Sequence, residues 1–167
     1  MTACVLPTSN SVFFHLAVSL QTCYFGAAID SITYGMTLTL SVLPETFAIC
    51  LLDRNAQIPS WAKGGSLSSI TRTSDEVSVV CPEECIPEGV QCEGGWKCLK
   101  IKGPFDLSTV GILASIAEPL AKADLSIFVI SSFDTDHVLI KKRDVERAVR
   151  ILSDAGHRIK EFAMTTP

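Results

Sequence analysis

Positive charge is missing from the opening third of this chain: no Lys or Arg precedes Arg54, and Asp30 is the only carboxylate before Glu45. A secretory leader needs a basic start ahead of its apolar stretch, so VFFHLAVSL lacks the flank that would make it one. A membrane span needs roughly 20 predominantly apolar residues, and Asn10, Ser11, His15, Ser19 and Gln21 interrupt this one. No helical or strand period persists there. Ordered patterning begins only after Met36, with TLTLSVLPETFAICLLD. Residues 1–42 are therefore read as an N-terminal extension and Met36 as the natural start, so that a chain trimmed to Met36 is expected to fold as well as the whole. A weak signal or anchor is the rival reading.

Catalytic machinery is equally scarce. The only imidazoles are His15, His137 and His157, and no Ser/His/Asp set, phosphate-binding loop or dinucleotide fingerprint accompanies them. His157 lies in a helix-stop sequence, where an imidazole near the carbonyl end is a structural role. The doubled glycines at 64–65 and 94–95 read as turns. No enzymatic activity and no cofactor are expected. With 14 basic against 18 acidic residues and a net charge of −4, the chain offers no basic footprint for nucleic acid.

The seven cysteines (Cys4, Cys23, Cys50, Cys81, Cys85, Cys92 and Cys98) form an odd set without an export signal, which argues against a secreted disulfide framework. Cys81, Cys85, Cys92 and Cys98 are the conceivable zinc set. Their spacing is loose, and Cys98 falls within an apparent strand, so reduced thiols in the cytoplasm and no metal are expected.

What remains is ordinary globular material, 47% hydrophobic and 19% charged, long enough for one domain or two small ones. TFAICLL reads as a buried strand between Pro44 and Asp53-Arg54-Asn55. IPSWAKGG allows at most a turn of helix, since Pro59 and Gly64-Gly65 punctuate it. SLSSITR and VSVVC form a hairpin around TSDE, and WKCLKIKG is the next strand. A helix is then predicted from a cap at Asp106 or Ser108 to about Ala123, with Ile112, Leu113, Ile116 and Leu120 on one face and Pro119 bending it. LSIFVIS and DHVLIK form a second hairpin. A second helix runs from Asp144, with Val145, Ala148, Val149 and Leu152 inward, to a stop at Gly156. HRIKEFAM is expected to close the unit as its last strand, with Ile159, Phe162 and Met164 alternating. This β-α-β-β-α-β order is the ferredoxin-like pattern. The first half reads as a degenerate copy of it, with residues 43–92 and 93–167 as the two units of an α+β fold. Helices should cover one face of each antiparallel sheet.

The segments LPETFAICLLD, SITRTSDEVSVVCPEE and GPFDLSTVGILASIAEPLAKADLSIFVISSFDTDHVLI resemble the ACT-domain family. Within it they are similar to the small tandem-ACT proteins related to the CASTOR-type arginine sensors of animals and to the regulatory tails of aspartate kinases. The resemblance covers about residues 43–157. It implies a regulatory protein that binds a free amino acid or similar small effector between paired ACT domains and passes the signal to a regulated protein; separately, sheet edges and a bare face that need cover point to a homodimer. A structural or dimerisation module without ligand is the competing reading.

The resemblance also places the ligand where the loop and helix start after one strand meet the following hairpin. On this chain those positions are Thr109, Val110, Gly111 and Ile112, with Ile130, Ser131, Ser132, Phe133 and Asp136 opposite. The residue chemistry suits that assignment. Gly111 at a helix start lets amides approach a carboxylate, Asp136 can pair with a cationic group, the serines offer hydroxyls, and Phe133 can cover an aliphatic stem. Each has a plainer reading as well: Gly111 as a packing glycine, Asp134 and Asp136 as turn residues, Phe133 as core. The arginine sensors carry a glutamate where this chain has Thr109, which sets arginine itself in doubt.

Overall fold

A computed structural model describes residues 36–160. The expectations for residues 1–35, for His15, and for Phe162 and Met164 lie outside the described residues.

Eight strands form one sheet: β1 (Thr39–Val42), β2 (Phe47–Asp53), β3 (Ser69–Arg72), β4 (Glu76–Pro82), β5 (Cys92–Ile101), β6 (Ile127–Ser131), β7 (Asp136–Lys141) and β8 (Arg158–Lys160). Two α-helices, α1 (Ile112–Lys122) and α2 (Val145–Asp154), belong to the second half. In the first half the helices have shrunk to single 3-10 turns at Ser60–Lys63 and Glu83–Cys85. Pro59, Pro82 and Pro87 account for this, because prolines so closely spaced leave no room for an uninterrupted amide ladder.

The sheet runs β3-β4-β2-β5, which is the ferredoxin-like order for the first half, and β5 then starts the second. One edge of β5 pairs with β2 through Cys92 and Glu93 and with β1 through Leu99–Ile101. Its other edge pairs with β7 from Trp96 to Lys100, and β7 pairs in turn with β6. The division drawn near residue 92 thus falls at the start of a strand that both halves use.

The last strand of the second unit sits elsewhere than expected. β8 does not lie beside β5. That place is held by β1, antiparallel to β5, while β8 pairs in parallel with the outer edge of β1. Thr39–Val42, assigned to the extension on sequence, are therefore part of the sheet. The physical reason is visible in Leu38 and Leu40, which are buried in the helix-side core.

That core joins Leu40, Leu99, Ile101, Val138 and Ile140 from the sheet to Ile116, Leu120, Ala148 and Leu152 from the helices. Each large side chain fully buried here is worth about 1.5–3 kcal/mol of transfer free energy. On the opposite face Phe47 and Val80 from the first half pack with Trp96, Cys98 and Leu139 from the second. A third cluster sits under the first 3-10 turn, where Ala62 covers Cys50, Val77, Val79 and Cys81.

Helix α1 starts later than the sequence predicts. Asp106 and Ser108 cap nothing, because the Asp106 carboxylate accepts from the Ser108 amide at 2.8 Å and from its hydroxyl. Those two hydrogen bonds hold the Asp106 carboxyl below its ordinary pKa. The helix instead begins after Gly111, which enters it at φ 90°, a left-handed conformation that side chains disfavour. Ile112, Ile116 and Leu120 are buried as expected, but Leu113 is exposed and Ser115 takes the inward position. Pro119 does lie inside the helix. Helix α2 matches its predicted face in part: Ala148 and Leu152 are buried, Val145 and Val149 half-buried. It stops at Gly156, whose amide donates to Ser153 O, and the His157 amide follows by donating to Leu152 O.

Candidate functional site

The antiparallel register brings several chain segments to one end of the sheet. Lys100 of β5 faces His137 of β7, and Ser131 of β6 faces Asp136. The end of β5, the first residues of the loop 102–111 that leads to α1, and the β6–β7 hairpin therefore meet there.

Loop and hairpin are tied together by hydrogen bonds. The Phe105 amide donates to Asp134 O at 3.0 Å, and the Thr135 hydroxyl donates to Ile101 O. Gly103 is the point of closest approach, since any Cβ there would collide with the Asp134 carbonyl. Within the hairpin the Ser132 amide and hydroxyl both donate to Thr135 O at 2.8 Å.

This geometry divides the nine candidate residues. Asp136 and Ser131 share the face of Val138 and Ile140, and so lie on the side of the sheet that carries α1. Gly111 presents its backbone at the helix start. Ile112 is a core residue whose side chain packs with Ile116 and Leu120, which leaves only its amide for a ligand. Ile130 packs against the opposite cluster with Trp96 and Leu139, so its side chain points away from Gly111. The Ser132 hydroxyl is already engaged in the hairpin. Thr109 and Val110 are exposed, Val110 at 87%.

Phe133 is 78% exposed and so is not the core residue that its aromatic character favours. With Val110 and Leu107, which is 74% exposed, it leaves three large apolar groups in water, two on the loop before α1 and one on the hairpin.

Residues that sequence reasoning passed over line the other side of the hairpin. A cleft of about 450 Å³ is bounded by Thr39, Ser41, Lys100, Lys102, Gly103, Asp134, Thr135 and Lys160. The alternation of KCLKIK was the available signal, because it sends Lys100 and Lys102 to the face opposite Leu99 and Ile101. A smaller cleft of about 180 Å³ separates Ser69, Thr71 and Ser78 from Phe128–Ser131. The β3–β4 end of the sheet thus faces β6. His137 lies buried on this same side, and its Nδ1 has no hydrogen-bond partner among the described residues.

The thiols regroup as well. Cys98 sits in the Trp96 cluster, where burial pushes its pKa up to about 12. Cys50, absent from the conceivable zinc set, packs with Cys81 and stands opposite Cys92 instead. Among the described residues no group of three or more Cys, His, Asp or Glu is arranged to hold a metal ion.

Residues 91–154 match the ACT domain family, and residues 45–89 match a family of N-terminal domains. A crystal structure of a protein from Agobacterium tumefaciens is 38% identical and superposes with a TM-score of 0.74, covering 79% of this chain and 98% of that one. The chain belongs to the ACT-domain family. The regulatory subunit of aspartate kinase from Thermus flavus shares the ACT fold at 14% identity, with a TM-score of 0.53 over 72% of this chain and 99% of that one. The human cytosolic arginine sensor for mTORC1, subunit 1, is 38% identical over 58 residues, which are 34% of this chain. This chain spans 18% of the length of that relative. Among the described residues no helix is long and apolar enough to cross a membrane.

Proposed function

We propose that this ACT protein is a regulatory sensor without catalytic activity of its own, whose effector is a free amino acid bound where loop 102–111 meets the β6–β7 hairpin. The observation that carries this is the seam itself. The Phe105–Asp134 hydrogen bond and the close approach at Gly103 hold the first part of the loop that leads to α1 against the hairpin. An α-carboxylate is received by the amides after Gly111, in the favourable field of a helix N-terminus. Asp136, on the helix side of β7, meets the ammonium group or a cationic side chain. In this division of labour Ile112 contributes backbone only, and Ser131 contributes its hydroxyl.

The site of a lone chain is open. Val110 and Phe133, both largely exposed, supply the apolar rim that a second ACT domain covers, so ligand and homodimer form together. The regulatory character of the relatives supports this, one of them being a cytosolic arginine sensor. A cytoplasmic setting and a separate regulated protein belong to the same proposal.

A thermal-shift screen over the proteinogenic amino acids tests it. A ligand at 100 times its dissociation constant adds about 2.7 kcal/mol of stability. A rise in Tm with one amino acid or a related few supports the sensor. No shift with any of them leaves a dimerisation module.

A further inference from the structure

Cys50 of β2 and Cys92 of β5 are direct cross-strand partners. The neighbouring pair carries a ladder hydrogen bond, from the Leu51 amide to Gln91 O at 2.9 Å. Opposed residues in antiparallel strands alternate between hydrogen-bonded and non-hydrogen-bonded pairs, so Cys50 and Cys92 form a non-hydrogen-bonded pair. Such pairs bring Cα atoms to about 4.5 Å with side chains on the same face, inside the roughly 4.4–6.8 Å that a disulfide spans. Cys50 is buried and Cys92 exposed.

We infer that Cys50 and Cys92 form a thiol–disulfide modification site, oxidised by a low-molecular-weight disulfide of the glutathione class. The exposed Cys92 thiolate attacks the reagent's S–S bond, forming a mixed disulfide and releasing one glutathione thiolate. Cys50, deprotonated, then attacks the Cys92 sulfur, forming the protein disulfide and expelling the second glutathione thiolate. Two protein thiols lose two electrons and two protons, and one glutathione disulfide becomes two thiols. The second step is the slow one, because burial and then the neighbouring Cys81 push the Cys50 thiol up to about 12. The register favours Cys92 over Cys81 as the partner. Cys81 stands opposite Ala48, two positions from Cys50 along β2, and such diagonal pairs lie farther apart, at about 7–8 Å. The bridge would tie β2 to the first residue of β5, where the first unit joins the second.

The test incubates the full chain with oxidised glutathione and maps its disulfides by non-reducing peptide mass spectrometry, with thermal unfolding measured in parallel. The expected result is a linked Cys50–Cys92 peptide, reversed by dithiothreitol. It is accompanied by a rise in Tm that Cys92→Ser abolishes and Cys85→Ser preserves. Cys92→Ser alters an exposed position and keeps the fold, and Cys50→Ala serves as a second variant that must retain glutathione on Cys92 without closing the bridge. Glutathione held on Cys92 of the unaltered chain with no bridge, a bridge between any other pair, or no modification at all overturns the assignment.

Discussion

His157 and Ser115 are joined across the molecule: the imidazole Nε2 lies 3.1 Å from the Ser115 carbonyl oxygen. That carbonyl is the one four residues before Pro119, which has no amide hydrogen to give it. On the other side of the ring, the Leu38 amide donates to Nδ1 at 3.3 Å. Because Nδ1 accepts, the proton sits on Nε2, and that nitrogen donates to Ser115. One buried side chain thus satisfies a proline-made gap in α1 and the chain entry to β1.

Removing the ring leaves two buried backbone groups without partners, each costing about 1–3 kcal/mol. His157→Ala is therefore expected to destabilise by roughly 2–6 kcal/mol. Adding Pro119→Ala restores a helical donor for Ser115, so the double variant should recover part of that loss. Denaturant unfolding of the four proteins decides it. Strictly additive effects would show that the proline gap and the histidine are unconnected.

His137 sets a pH dependence. Burial, and next the charge of Lys100, hold its imidazole below the ordinary value, against a backbone hydrogen bond at Ile130 and the charge of Asp136. The folded chain thus binds a proton less readily than the unfolded one. The stability at stake is fully present above the unfolded value of about 6.5. It is lost as pH falls through that value toward the lower folded one. Unfolding midpoints should drop between about pH 8 and about pH 5, and His137→Phe should flatten the slope. An unchanged slope in the variant assigns the dependence to other groups.

Asp136 and Gly111 address the two ends of the proposed ligand. Asp136→Asn keeps size and removes charge, so it should weaken binding of the best amino acid from the screen by about 1.5–3 kcal/mol, the scale of a hydrogen bond to a charged group. The fold should be little affected. Gly111→Val is a harsher change, because a β-branched residue at φ 90° is strained by about 1–3 kcal/mol in the chain alone. Calorimetry on Asp136→Asn is thus the cleaner measurement. Undiminished affinity there would move the cationic end of the ligand elsewhere.

Much of this was legible in the residues. Strand and helix periods gave the β-α-β-β-α-β order, the weak helices of the first half, and the stop at Gly156. Local chemistry was harder to weigh: Asp106 and Ser108 look like caps, yet they satisfy each other before the helix begins. Facing was harder still, since Ile130 and Ser131 are adjacent letters that point to opposite sides of a sheet. The place of β1 between β5 and β8 left no signal at all. Pairing between distant strands has no period to read, and Leu40 carries the same alternation wherever its strand lies. The same blindness hid the partnership of Cys50 and Cys92, which only the register creates.

The position of β1 also bears on how the chain is made. Leu38 and His157 are 119 positions apart, and ribosomes add about 5–20 residues per second. The earliest strand of the sheet therefore waits roughly 6–24 s during synthesis before its outer neighbour exists. Until then Leu38 and Leu40 are greasy groups on a nascent polypeptide, with α2 still unmade above them. Contacts so remote in sequence close slowly, so a chaperone stays useful to this chain until β8 has been made, long after β1 has emerged.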